Sequence, residues 1–147
     1  MYSEGNIIYF DPFYFKNGNK AKEKYFVVLK TTEDKAILAS LPTRKDSIPD
    51  KDVIENGCIE LPDINMNCFV ISPNIEVTEC GKHFDFKTHL YGYEIDSYET
   101  KLMLEIYQVE GSDYVIWGKM KSDIFSSMML CFRNSQSVKR KFKHLLQ

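Results

Sequence analysis

The chain has no Cys-x-x-Cys pair, no glycine-rich phosphate loop, no Gly-x-Ser-x-Gly elbow and no His-Glu-x-x-His. Sequence support is therefore missing for an enzyme unrelated to nucleic acid that works through one of these motifs. No apolar run approaches the length of a membrane span, so no membrane partner is expected. Met1-Tyr2-Ser3-Glu4-Gly5 lacks a basic region followed by a long apolar run, so no signal peptide is expected and the location reads as cytoplasmic. In that setting Cys58, Cys68, Cys80 and Cys131 read as free thiols. Cys80-x-x-His83 with Cys58 and Cys68 has the atoms of a zinc site, but the spacing is far from a zinc knuckle. Small buried hydrophobes are the better reading of the cysteines, and neither a metal nor a cofactor is expected. Charge of one sign is also lacking. The 19 Lys and Arg nearly balance the 21 Asp and Glu, leaving a net charge of −2. Any basic surface must be local.

What is abundant is aromatic. The 10 Phe and 9 Tyr favour strands over a helical bundle, and the 147 residues suit one domain with a proper core. Lys24-Tyr25-Phe26-Val27-Val28-Leu29-Lys30 reads as a strand buried on both faces. The polar break 31–35 suits a hairpin loop, and 36–42 returns as a second strand that Pro42 stops. Further strands are expected at 6–10, 58–61 and 68–71, with a late one over 91–95 and a short one over 114–117. Asp96-Ser97-Tyr98-Glu99 has the pattern of a capping box, predicting a helix over 98–107. Helices over 123–132 and 137–146 follow. The region 5–95 is thus mainly β and 96–147 mainly helical, a single antiparallel α+β domain over 1–147. Short strands joined by charged loops suggest one curved sheet closed as a small barrel.

Two loops are rich in charge. Residues 16–24 carry Lys16, Lys20, Lys22 and Lys24 against Glu23, and 44–57 begin with Arg44 and Lys45. The first is either a solvated loop or a flap that meets phosphates. With the rim at Thr43, Arg44 and Lys45, it is expected to form one basic groove. The last helix carries Lys139, Arg140, Lys141 and Lys143, and no acid follows residue 123. That face is either solvated or an RNA-contact strip.

Gly5-Asn6-Ile7-Ile8-Tyr9-Phe10-Asp11, a lysine-bearing loop, Lys24-Tyr25-Phe26-Val27-Val28-Leu29 and a strand ending Leu41-Pro42-Thr43 together resemble the PemK/MazF family of toxin endoribonucleases. The stretch from Lys87 to Ile95 and the helix after it look like the family's closing strand and helix. The resemblance covers roughly residues 5–107. It implies an SH3-like barrel with helices at its side, a homodimer, metal-free cleavage of single-stranded RNA and a partner antitoxin protein. It also implies catalytic positions at Lys24 and Thr43. The family's Arg-Pro is Lys24-Tyr25 here, and lysine lacks the planar fork that suits a phosphate. Arg44 is the candidate to replace that guanidinium. Lys24, Thr43 and Arg44 are thus the expected catalytic set, and Lys16, Lys20, Lys22, Lys45 and His89 the expected RNA contacts. His83 and His89 have the side-chain type needed for proton transfer. The alternative is a non-catalytic barrel that binds RNA or a partner protein; the departure at Lys24 favours it.

Overall fold

The computed structural model describes residues 1–41 and 56–147. Its elements are β1 (Asn6–Phe13), β2 (Lys22–Thr31), β3 (Lys35–Leu41), β4 (Gly57–Leu61), β5 (Met66–Ile71), β6 (Thr88–Tyr91), β7 (Asp96–Glu99), α1 (Thr100–Ile106), β8 (Tyr114–Lys119), α2 (Ser122–Arg133) and α3 (Arg140–Leu145). Among the described residues the strands form two sheets. A five-stranded sheet runs β7-β3-β2-β1-β8 and a three-stranded sheet runs β4-β5-β6, with every ladder antiparallel. The fold is therefore α+β, and the expected single curved sheet is replaced by two.

The strand β2 is central, and its alternation explains both halves of the core. Val27 and Leu29 point to one face, where they pack with Ile7, Ile37 and Leu41. That cluster also takes Phe69, Ile71 and Leu90 from the smaller sheet and Met128, Phe132 and Phe142 from α2 and α3. Phe26 and Val28 point to the other face, where Ile8, Phe10, Phe13 and Leu38 meet Met103 and Tyr107 at α1. A strand buried on both faces has no polar side to spare, which is why its sequence is a nearly unbroken apolar run.

Three local expectations shift. Asp96–Glu99 pairs with β3, Lys35 opposite Glu99 and Leu38 opposite Asp96, rather than opening a helix. The Asp96 carboxylate accepts the neighbouring Ser97 N–H at 2.8 Å, and the helix starts at Thr100. Sheet pairing of the exposed β3 edge overrides the local capping pattern. The late strand covers Thr88–Tyr91, and Gly92–Glu94 is a 3-10 turn. The first strand continues past Asp11-Pro12 to Phe13, with its register shifting between Phe10 and Phe13, so the proline sits at an irregularity where no ladder N–H is needed. Among the described residues, no helix is long and apolar enough to cross a membrane.

Candidate nucleic-acid interface

The antiparallel register places Tyr9 directly opposite Tyr25, with ring centroids 4.6 Å apart. On the far side of β1, Ile7 pairs with Gly118 and Ile8 with Ile116, which leaves Trp117 as the extra residue of a bulge. A bulge re-aims a side chain out of strand alternation. The Trp117 indole thereby meets Tyr25 edge-on at 6.3 Å and stacks on Phe84 at 5.5 Å with planes 11° apart. These rings wall a cavity of about 400 Å³, completed by Leu41, Glu23 and the segment from His83 to Phe86 with Thr88. Leu41, opposite Tyr25 in the β2–β3 ladder, is the residue joined to Pro42.

Two carboxylates, Glu23 and Asp85, line the cavity. Tyr9 donates its hydroxyl to Glu23 Oε2 at 2.7 Å. This bond, with burial and the nearby Glu23 charge, raises the Tyr9 phenol far above its ordinary value. Burial raises Tyr25 as well, followed by the negative fields of Glu23 and Asp85. The Tyr25 phenol therefore stays neutral. Among the described residues, no lysine or arginine lines the cavity. Lys82 sits outside it, 5.0 Å over the Trp117 ring, and donates to the Trp117 carbonyl at 2.6 Å.

The expected site residues that are described do not converge on this cavity. Lys24 lies opposite Phe10 and alternates with Glu23 and Tyr25, so its side chain leaves the other face of the sheet from the cavity. Thr43, Arg44 and Lys45 lie outside the described residues. Lys16 makes an ion pair with Asp96 at 3.2 Å, donates to the Ser97 carbonyl and sits 4.2 Å over the Tyr98 ring. It borders a separate cavity beside α1, with Tyr98, Met103 and Tyr107, on the sheet face away from Trp117. Lys22 lies 6.0 Å over the Phe15 ring, and Lys20 is exposed in the loop before it. His89 is 2% exposed, opposite Val70 in β6 and stacked on Tyr91, so it presents no surface to an RNA. His83 is exposed and lines the aromatic cavity.

Sequence reasoning missed Tyr9, Glu23, Tyr25, Asp85 and Trp117 as site residues. Alternation from Val27 back through Tyr25 to Glu23 carried the signal for one strand. No local pattern foretold the bulge that aims Trp117.

The cysteines differ from the expectation of four free thiols. Cys58 of β4 and Cys131 of α2 form a disulfide, while Cys68 is free and buried and Cys80 free and exposed. No family model, no curated protein and no solved structure matches the chain.

Proposed function

We propose that the chain is a toxin-like endoribonuclease that cleaves single-stranded RNA without a metal ion, built on an open SH3-like variant of the α+β fold. The observation that supports this most is the Tyr9–Tyr25–Trp117–Phe84 wall around a cavity that also holds Glu23 and His83. Aromatic faces are the sequence-tolerant platform on which unpaired bases stack, at about 1–3 kcal/mol per base. Glu23, held by the Tyr9 hydroxyl, is the group to take the ribose 2′-hydroxyl proton. The freed oxygen attacks the adjacent phosphorus, and His83 is placed to give a proton to the leaving 5′-oxygen. The products are a 2′,3′-cyclic phosphate and a 5′-hydroxyl end. A homodimer, a neutralising antitoxin and action in the cytoplasm complete the proposal.

A second reading, a non-catalytic RNA-binding or partner-binding domain, is favoured by one observation. No Lys or Arg among the described residues lines the cavity to stabilise phosphorane charge, and Lys24 faces away. The experiment is purified protein with mixed-sequence RNA in EDTA, with new ends mapped. Cyclic-phosphate ends that disappear in Glu23→Gln and His83→Ala support cleavage at this cavity. RNA binding without cleavage selects the second reading. Loss of neither binding nor cleavage in these variants overturns the site.

A further inference from the structure

We infer that the aromatic cavity takes a guanine base and that the Asp85 carboxylate reads it. The inference rests on the RNA reading of this cavity and adds the identity of the base. Two of the side-chain donors there are committed: the Tyr9 proton goes to Glu23, and Thr88 Oγ1 donates to the Phe86 carbonyl at 3.0 Å. Glu23 Oε1 and both Asp85 oxygens accept no bond among the described residues, and Asp85 lines the same cavity as the Tyr25 ring. A carboxylate with both oxygens open selects a base edge that presents two adjacent donors.

Among the bases, guanine presents N1–H and the N2 amino group side by side, matching the two oxygens of one carboxylate. Uracil offers a single N–H between two carbonyl oxygens. Cytosine and adenine offer an amino group beside a ring-nitrogen lone pair, which faces the second carboxylate oxygen with repulsion. Single-stranded RNA is recognised in this manner, by stacking on aromatic side chains and hydrogen bonding at the exposed base edge. A cation is the other ligand that rings and carboxylates attract. Here the Lys82 ammonium already lies over the Trp117 ring, and a second positive charge beside it would be repelled, whereas a neutral base is not. The same ammonium suits the phosphate that a nucleotide carries.

The protein contains its own reporter, because its single tryptophan is Trp117 in the cavity wall. The experiment titrates the full chain with short 2′-O-methyl oligonucleotides, which lack the hydroxyl needed for cleavage, and follows Trp117 fluorescence. The probes are an all-U strand and the same strand with one central G, A or C. The expected result is half-maximal quenching by the G strand at a concentration about tenfold or more below the all-U strand, the discrimination of one bidentate base contact. Asp85→Asn, in an exposed segment and checked by thermal melting, is expected to bring that ratio close to unity. Equal quenching by all four strands overturns the guanine inference and leaves the RNA reading standing. A G preference that survives Asp85→Asn overturns the role of Asp85. Quenching by N-acetyl-arginine amide with none by any oligonucleotide overturns both readings.

Discussion

Tyr9 holds Glu23 by a 2.7 Å hydrogen bond that crosses from β1 to β2. One hydroxyl therefore fixes the carboxylate that the proposed reaction uses as base. Glu23→Gln is expected to slow cyclic-phosphate formation on the order of a hundredfold, the usual contribution of a general base. Tyr9→Phe keeps the ring and the base, so the rate is expected to fall only about tenfold, in line with one charge-assisted hydrogen bond. Initial rates on a single defined RNA check both. Equal losses in the two variants would mean that Tyr9 itself takes part in the chemistry.

The three sulfur environments separate in one labelling experiment. Cys58 and Cys131 bridge β4 and α2 across 73 residues of chain. The Thr78 hydroxyl and Lys82 lower the exposed Cys80 thiol, whereas burial pushes Cys68 up to about 11. Under non-reducing native conditions near neutral pH, iodoacetamide is expected to label Cys80 alone, because the thiolate is the nucleophile. Cys68 is expected to react only after unfolding, and Cys58 and Cys131 only after unfolding and reduction. Peptide mass mapping reads the order. Replacing Cys58 and Cys131 together by Ser is expected to destabilise the fold by about 2–4 kcal/mol, which a denaturant titration measures.

Strand placement was legible because β2 and β3 carry apolar runs that only a doubly covered sheet explains, and the period changes near residue 100. The division into two sheets was not, because nothing in Gly57–Leu61 or Met66–Ile71 states which strand it pairs with. Asp96–Glu99 misled because a capping pattern is local, while its pairing partner β3 lies some sixty residues earlier. The site was less legible than the fold. Lysines drew attention as phosphate ligands, yet Lys16 is held by Asp96 and Tyr98, and Lys24 projects from the wrong face for the cavity. The cavity is made by a bulge and by a segment some sixty residues from β2, relationships that no window of sequence contains.

A glycine reports how closely the smaller sheet and the helical region approach. A Cβ built on Gly92 would lie 2.5 Å from Asn67 Oδ1 and 2.8 Å from Val138 Cγ2. Asn67 is buried and donates to Glu60 at 3.0 Å, and Glu60 also accepts from Ser135 Oγ at 2.8 Å. Gly92→Ala must therefore displace a hydrogen-bonded network rather than a free side-chain end. The expected loss is about 1–3 kcal/mol by denaturant titration. A parallel Gly18→Ala, where nothing lies within 4 Å but φ is +79°, isolates backbone strain from contact and is expected to lose about 1 kcal/mol.

Alkaline pH provides a test of the opposite face of the large sheet. Tyr2 and Tyr98 are raised well above the ordinary 10.0, first by burial and then by neighbouring negative fields, from Tyr107 and Tyr114 at Tyr2 and from Asp96 and Tyr107 at Tyr98. A raised folded-state value means that the folded chain holds these phenol protons more tightly than the unfolded chain does. Their contribution is complete below the unfolded value and is lost as pH rises through it toward the folded value. Denaturation midpoints are therefore expected to stay level to about pH 9 and to fall steeply by about pH 11. The Tyr2 hydroxyl is buried without a hydrogen-bond partner among the described residues. Tyr2→Phe removes an unsatisfied polar group, so it is expected to raise stability at neutral pH by about 1 kcal/mol. It is also expected to make the alkaline decline shallower, because one proton fewer is linked to unfolding. An unchanged slope in Tyr2→Phe would show that Tyr2 ionises as readily in the folded chain as in the unfolded one, and that the face covered by α1 is open to water.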